Sequence, residues 1–461
     1  MGDIAIEATT DCGTGINDKT EVRVYGTTPN EERTDQIRIG PYTCKNLREP
    51  CPFLGIIFSN NMTGSCHQKI RQKKAVKASG RLNIAWAHNK GIPFWEEWQL
   101  WLAVGWSTLA YGSEIWPWGQ NIWAEKAESF HMKQMLGVGQ TTSYESMCWL
   151  TGILPARERV WIRAFKFAGR LTSNQAQGEH THTNLELTAW QNQWTMWEWA
   201  TDKGRLEIVG EKRHNFWIYG MLSILREIGW RSQADHISLR HLNGNQFQDR
   251  CKDIIECIKQ YGERRLRDKL ESTSKYRYLI SQFRNFRENP WFRELPRWAR
   301  TPVARLFLSQ HRLLVETGRW RRWPRNYRVC KDCARTECRR VCRCPEENCV
   351  ADESHHCWDC KHTKQYWEKL QINIREITDT HIVDWDDINT WPQEKYSKDK
   401  WRLIGIQISI CIDKILTAGH KISISYNPLG RHVRNRPFDQ EEESQDSEID
   451  NTAAQEDEHI G

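Results

Sequence analysis

Apolar and polar positions follow two different periods along this chain. Residues 20–58 contain short alternating or compact apolar runs, TEVRVYG, QIRIG and PFLGIIF, which predict short strands. Beyond Gly64 the apolar residues recur at steps of three and four, which predicts helices. The residues of these stripes are expected to pack between helices: Trp95, Trp98, Trp101, Leu102, Trp190, Trp194, Trp197, Ile254, Ile255 and Ile258. The predicted fold class is mainly α with a small N-terminal β element (α+β).

Two further segments depart from these patterns. Residues 175–183, QAQGEHTHT, are polar and predict an exposed loop. Residues 401–416, WRLIGIQISICIDKIL, are predominantly apolar, and periodicity alone is compatible with either a buried strand or a helix. We therefore expect a small C-terminal αβ segment.

Charge is distributed unevenly over the 461 residues, a length suited to two or three domains. The formal net charge is +7, but the tail from Asp439 to Glu458 has ten acidic residues and no Lys or Arg, so the rest carries +17. A segment of that composition buries no apolar surface, and we expect a disordered, solvated acidic tail. The alternatives are a partner-docking segment or a mimic of nucleic acid that competes for a basic face.

The sequence predicts a cytoplasmic or nuclear protein with no membrane segment. No apolar run reaches the roughly 18 residues that span a bilayer, and the N-terminus lacks the regions of a signal peptide. The chain starts Met-Gly, but Ile6 occupies the position where myristoylation needs Ser or Thr. In a reducing compartment, cysteines serve metal binding more often than disulfides.

Eight of the sixteen cysteines fall between Cys330 and Cys360, in a stretch that also holds His355 and His356. Thiolate and imidazole are the ligands that zinc prefers, and a metal can organise a segment too polar to build a core. The cofactor predicted from these residues is zinc, in a closed structural site.

The stretch before this cluster is basic. From Arg264 to Arg343 there are 23 Lys and Arg against 7 Asp and Glu, a net +16 over 80 residues. Guanidinium groups neutralise phosphates and exposed aromatic rings stack on unpaired bases, so RNA or DNA is the predicted partner. The interleaved aromatics are Tyr276, Tyr278, Phe283, Phe286, Trp291, Phe292, Trp298, Trp320 and Trp323. The predicted nucleic-acid-binding residues are Arg319, Trp320, Arg321, Arg322, Trp323, Arg325 and Arg328.

Six short sequences occur in an order typical of one family. They are GTGINDKTEVRVYG (13–26), CPFLGIIFSNN (51–61), LAYGSEIW (109–116), WLTGILPARERVWIRAFKFAGRL (149–171), HRLLVETGRWRRWPRNYRVCKDC (311–333) and ADESHHCWDC (351–360). This series resembles the C-terminal half of the reverse transcriptase of non-LTR (LINE-like) retrotransposons. The resemblance covers roughly residues 13–365.

The resemblance implies a division of the chain into segments with separate roles. These are a palm remnant at 1–65, a helical thumb-like region at 66–175, a helical basic linker at 176–310 and a zinc knuckle region at 311–365. Beyond the resemblance, periodicity and composition predict the αβ segment at 366–430 and the acidic tail at 431–461. The resemblance places Asn17, Lys19 and Thr20 on the penultimate palm motif, near the incoming nucleotide. Phe53, Leu54 and Gly55 fall on the motif whose tight turn helps to hold the primer end, and the residues themselves favour a hairpin turn with free backbone approach at Gly55.

The chain departs from the family at the polymerase site. Polymerisation needs two metal ions held by carboxylates, which the family carries as Tyr/Phe-x-Asp-Asp just upstream of the first of these motifs, and only twelve residues precede Gly13. The pair Asp386-Asp387 lies beyond the cysteine cluster and is expected to be a solvated turn. No catalytic residue is assigned and no polymerase activity is expected from the chain alone. A separately encoded polymerase half remains a conceivable partner.

For the zinc site, Cys330 and Cys333 have the C-x2-C spacing of a first ligand pair. By the resemblance, His355 and Cys360 supply the second pair. An insertion adds further candidates, so other ligand sets or a second zinc remain open: Cys338, Cys342, Cys344, Cys349, His356 and Cys357.

The sequence gives less support to other functions. A zinc-ribbon or RING-like protein-interaction module would use Cys330-x2-Cys333 with Cys357-x2-Cys360, but the RING centre is missing. A product without selected function is a further alternative. Cys148 lies in an apolar stretch and is expected to be core rather than a nucleophile. No phosphate-binding Gly-rich loop and no small-molecule substrate are indicated.

Overall fold

The computed structural model of the chain describes most residues within 36–58, 64–116, 122–173, 217–230, 244–322 and 353–424, together with residue 328. The predicted loop at 175–183, the tryptophans 190, 194 and 197 and the acidic tail lie outside these ranges. The described part is mainly helical, which confirms the coarse fold class.

The N-terminal β element consists of two separate hairpins. Strands β1 (Gln36–Ile39) and β2 (Tyr42–Lys45) pair antiparallel with Gln36 opposite Lys45. Strands β3 (Cys51–Phe53) and β4 (Ile56–Phe58) do the same with Cys51 opposite Phe58. No sheet of more than two strands is present in the described residues.

The helices follow in chain order, with short π-helical or 3-10 turns between some of them. They are α1 (Ser65–Ala87), α2 (Phe94–Trp101), α3 (Ser107–Ala110), α4 (Ile122–Leu136), α5 (Tyr144–Thr151), α6 (Ala156–Ser173), α7 (Trp217–Glu227), α8 (Gly244–Glu271), α9 (Arg277–Gln282), α10 (Pro290–Arg293), α11 (Arg297–Phe307), α12 (Leu314–Trp320), α13 (Lys364–Thr378), α14 (Trp385–Asn389) and α15 (Lys398–Ile424). The π-helical turns are Leu102–Trp106 and His355–Asp359, and the 3-10 turns are Ser274–Tyr276 and Gln393–Lys395.

Within the described residues the apolar stripes form the core, as the periodicity predicts. Trp98 and Trp101 are 3% and 0% exposed, and Ile254 and Ile258 are fully buried. Cys148 is also fully buried, and burial raises the pKa of its thiol well above the usual value. The prediction that Cys148 is a core residue is confirmed.

One large hydrophobic cluster crosses the segment boundaries suggested by the sequence. It contains buried residues from Ala75 in α1 to Ile415 in α15, with α5 and the α10–α11 region between them. A second, smaller cluster joins α6, α7 and α8 around Phe165, Leu222 and Ile254. The thumb-like, linker, knuckle and C-terminal segments therefore share one main core.

The ambiguous run at 401–416 is helical, as part of α15. Its buried residues recur at helical steps: Trp401, Ile404, Ile408, Ile412 and Ile415. Strand alternation from Ile404 would bury Ile410, which is 37% exposed. Because α13, α14 and α15 are helices, the expected αβ character at 366–430 is wrong for the residues described there.

Helix α15 packs against α10, α11, α12 and α13 in the centre of the C-terminal half. Within the described residues, its segment Lys398–Lys421 is long and apolar enough to cross a membrane by length and composition. This is weak evidence for a span, because a core helix meets the same criteria and 44% of the apolar window is buried inside the protein.

Candidate functional site

The second half of the predicted zinc site is a buried turn. The π-helical turn His355–Asp359 leads into Cys360, whose backbone N–H donates to the His355 carbonyl over 2.8 Å. His355 is 1% exposed, and His356, Cys357 and Cys360 are completely buried. We call residues 355–360 the His–Cys turn. It lies between α13 and α15 rather than on the surface.

The His356 ring lies against a thiol. It interacts with the side chain of Cys360, and neither ring nitrogen makes a hydrogen bond of normal geometry among the described residues. Burial lowers the pKa of His356, with opposition from Cys360, so the ring is neutral near pH 7. The His355 ring meets it edge-on, with centroids 5.3 Å apart.

Gly419 of α15 makes room for the His356 ring. A Cβ atom at Gly419 would lie 2.3 Å from Cδ2 of Leu313 and 3.4 Å from Nδ1 of His356. No side chain fits there unless these neighbours move. The ring is thus held against the backbone of a long core helix, which fixes its position before any ligand binds.

Cys357 has a different environment from Cys360. Its Sγ accepts a hydrogen bond of 3.3 Å from the Tyr278 hydroxyl, which in turn accepts one of 2.9 Å from Nε1 of Trp385. The neighbouring rings of Trp358, Trp367 and Trp385 pack on one another. This hydrogen-bonded position inside an aromatic cluster suits a core thiol better than a metal ligand.

Glu353, just before the turn, orients His311. Nε2 of His311 lies 3.0 Å from Oε1 of Glu353, and Nδ1 accepts a bond of 3.3 Å from the Leu313 N–H. Burial alone would raise the pKa of Glu353, but the bonds from His311 and Ser309 hold it below the usual value. Both nitrogens of His311 are therefore engaged, and His311 is not a ligand candidate.

The other ligand candidates lie outside the described residues: Cys330, Cys333, Cys338, Cys342, Cys344 and Cys349. Within the described part no group of three or more His, Cys, Asp or Glu side chains has a metal-binding arrangement. The described residues therefore contribute at most one half of a four-ligand site, through Cys360 and one of the two histidines.

The predicted nucleic-acid-binding residues cluster where α12 ends. Arg319 pairs with the buried carboxylate of Glu316, and Trp320 is 46% exposed. Arg321 and Arg322 follow, with Arg322 in the left-handed region at a φ of 55°. The stem of Arg328 packs over Gly318, where a Cβ would lie 2.7 Å from Cγ of Arg328. Trp323 and Arg325 lie outside the described residues.

Most aromatics of the basic stretch are core residues, contrary to the expectation that they stack on bases. Five are at most 8% exposed, namely Tyr276, Tyr278, Phe283, Trp291 and Phe292, and Phe286 packs against the same core. Trp298 and Trp320 are the exposed ones among the described residues, at 49% and 46%. The composition of the basic stretch therefore did not show which of its aromatic side chains are buried and which are exposed.

Of the palm-remnant residues, Asn17, Lys19, Thr20 and Leu54 lie outside the described residues, and Phe53 ends β3. Gly55 occupies the tight turn between β3 and β4 at a φ of 79°, as expected. Its backbone is less open than expected, because Nη2 of Arg71 donates to the Gly55 carbonyl over 2.5 Å. A Cβ at Gly55 would lie 3.4 Å from the Tyr111 ring.

The Asp386-Asp387 pair lies in the short helix α14 rather than in a solvated turn, and Asp387 is half-buried. Trp385 and Ile388 of this helix are 1% and 0% exposed, so the segment is part of the core.

Neither a protein-family model, nor a curated protein, nor a solved structure matches this chain. The functional argument therefore depends on the residues and geometry described above.

Proposed function

We propose that this protein is a zinc-dependent nucleic-acid-binding protein, related to the C-terminal part of a non-LTR retrotransposon reverse transcriptase and without polymerase activity of its own. The observation that carries the proposal is the completely buried pair of His356 and Cys360: the ring interacts with the Cys360 side chain and has no hydrogen bond of normal geometry among the described residues. Buried polar atoms without partners destabilise a protein, and a bound metal removes that cost.

The His–Cys turn fits one half of a tetrahedral zinc site. Cys360 and a histidine, His355 or His356, would hold the metal from this side, with Cys330 and Cys333 as the expected opposite pair. Bound there, zinc would supply structural cross-linking rather than chemistry, because sulfur-rich closed sites leave no position for water. The cross-link would join the residues after α12 to the core around α15.

The nucleic-acid part of the proposal is supported by the end of α12. Trp320 is half-exposed beside Arg321 and Arg322. An exposed ring that is followed in the sequence by two arginines suits an unpaired base and its phosphates. A site at this position would lie next to the segment that zinc organises, so loss of the metal should weaken binding.

The alternative, a zinc-ribbon or RING-like interaction module, would need Cys357 as a ligand. The hydrogen bond from Tyr278 to the Cys357 thiol weighs against that assignment. A product without selected function predicts no fixed zinc stoichiometry, so the elemental analysis addresses it.

Elemental analysis of the purified chain tests the zinc half. We expect one zinc per chain, or two if the inserted cysteines bind a second, and a loss of one in Cys360→Ser. Cys411→Ser is the matched control, since Cys411 is also buried near the turn but donates to the Tyr366 carbonyl. His355→Ala and His356→Ala, compared side by side, identify the histidine ligand. A folded chain without zinc would contradict the proposal.

Salt titrations of labelled RNA and DNA test the proposed nucleic-acid binding. The variant in which Arg319, Arg321, Arg322, Arg325 and Arg328 become Gln should lose about 0.7 to 0.9 from the log–log salt slope for each phosphate contact removed. Identical slopes for wild type and variant would place the binding surface elsewhere.

A further inference from the structure

Helix α1 carries a charge pattern that the sequence analysis overlooked. Its 23 residues contain no acidic side chain and six basic ones, Lys69, Arg71, Lys73, Lys74, Lys77 and Arg81. Four of these recur at every fourth position and are all exposed. We call these four, Lys69, Lys73, Lys77 and Arg81, the α1 stripe.

The stripe occupies one face of a rigid helix. At about 100° and 1.5 Å per residue, its four side chains fall within a sector of about 120° and a length of about 18 Å. The opposite face is buried, with Ala75 and Ser79 at 0% and Trp86 at 6% exposed. The Ser79 hydroxyl lies 2.7 Å from Nδ1 of His131 on α4, which helps to hold α1 in place.

Nothing in the described residues neutralises the stripe. None of its four side chains has an ion pair or hydrogen bond in the described part of the chain. Three acids of neighbouring segments are engaged elsewhere: Glu97 with Arg300, Glu128 with Arg159 and Glu114 with Arg163. Among the described residues, no acidic side chain competes with an external anion for the charge of the stripe.

The stripe also lacks the rings that unpaired bases need. Its sector of α1 contains no aromatic residue, and the large apolar residue at its end is Ile84, 69% exposed. Single-strand binding depends on aromatic side chains on which the bases stack. A duplex instead presents phosphates at regular spacing, and its bases are already stacked on one another. A row of flexible cations along one helix face therefore fits a duplex better than a single strand.

We infer that the α1 stripe binds the phosphate backbone of double-stranded nucleic acid without reading its sequence. This inference rests on the proposed function and adds a second surface, distinct from the end of α12 where Trp320 favours single strands. The two surfaces assign duplex and single-stranded substrates to different parts of the molecule.

The test compares two variants of equal charge change. In the stripe variant Lys69, Lys73, Lys77 and Arg81 become Gln. In the control variant four exposed but ion-paired residues become Gln, namely Arg250, Lys252, Lys259 and Lys364. Affinity for a random-sequence labelled duplex and for a single strand is measured against salt, and circular dichroism verifies folding.

We expect the stripe variant to lose up to about 3.6 from the duplex salt slope, at 0.9 per contact, with a smaller change for the single strand. The control should keep the wild-type slope. Equal duplex slopes for the stripe and control variants would overturn the inference alone, provided that the wild type binds. If the wild type binds neither substrate in a salt-dependent way, the proposed function fails as well.

Discussion

Helices α1 and α8 are of similar length and rich in basic residues, but they present different electrostatic surfaces. Helix α1 has six basic residues and no acidic one. Helix α8 has seven basic and six acidic residues, and several of its cations are paired: Arg250 with Asp253, Lys252 with Asp249 and Lys259 with Glu256. The number of cations in a helix thus says little about the field around it, because partners one turn away neutralise many of them.

The inner faces of the two helices differ as well. Arg265 of α8 points inward and donates to the buried Glu158 and to Glu125. Helix α1 is held by neutral contacts, including Ser79 with His131. Part of the basic count between Arg264 and Arg343 is therefore structural charge, whereas the α1 stripe, outside that window, has no ion pair among the described residues.

The largest expected effect is on stability, at α8. Arg265→Ala leaves the buried carboxylate of Glu158 with Arg157 as its remaining described partner, and should destabilise the fold by about 3 kcal/mol. Lys73→Ala on the exposed face of α1 should change stability by less than about 0.5 kcal/mol. Urea denaturation measures both, and equal effects would contradict the distinction between paired and unpaired cations.

The second prediction concerns pH and the anchoring of α1. Burial, reinforced by Arg297, lowers the pKa of His131 to about 3, whereas an unfolded histidine titrates near 6.5. Below pH 6.5 the unfolded chain binds a proton that the folded chain does not. The free energy of unfolding therefore decreases as the pH is lowered, by about 2 kcal/mol from pH 7 to pH 5.

His131→Gln removes this titration and should flatten the pH dependence between 7 and 5. His381, an exposed histidine, provides the control as His381→Gln. An unchanged pH profile in His131→Gln would show that other groups cause the loss of stability.

The third prediction converts α8 into a helix like α1. Asp249→Asn, Asp253→Asn and Glu256→Gln together free Arg250, Lys252 and Lys259 from their ion pairs. We expect tighter duplex binding and a salt slope steeper by up to about 2.7, at 0.9 per freed cation. Fluorescence anisotropy at several salt concentrations measures it. An unaltered slope would mean that position on the molecule matters more than free charge.

The smallest expected effect separates the α1 stripe from the end of α12. Trp320→Ala should weaken single-strand binding by about 1 kcal/mol, which is the lower end of the range for the loss of one stacked base. The salt slope and the duplex affinity should change little. Trp298→Ala, an equally exposed ring on α11, is the matched control. If Trp320→Ala instead lowers thermal stability, the ring packs against the protein and does not stack on bases.

Local patterns predicted much of the helical core but not the roles of individual rings and charges. The steps of Trp98 and Trp101 identified a buried helix face, and Cys148 was correctly placed in the core. Tyr278 and Trp291 were counted with the basic stretch, yet both are buried. A single sequence shows which residues are near one another along the chain, whereas burial depends on distant segments such as α14 and α15.

The candidate site shows the same limit. The family resemblance selected His355 and Cys360 as predicted ligands, whereas the packing of Gly419 against the ring of the neighbouring His356 depends on the tertiary structure. Cys357, equivalent to Cys360 by residue type, accepts a hydrogen bond from Tyr278, 79 positions away.

The sequence by itself determined the helical periodicity, the tight turn at Gly55 and the density of zinc-type ligands near Cys360, because each depends on a few consecutive residues. Tertiary structure decided that residues 401–416 form a helix, since neighbours on several sides bury positions at helical steps. It also decided which cations remain free: Arg265 meets Glu158 across 107 positions, whereas the α1 stripe meets no acid in the described chain. Charge pairing over such distances depends on the fold, and composition cannot reveal it.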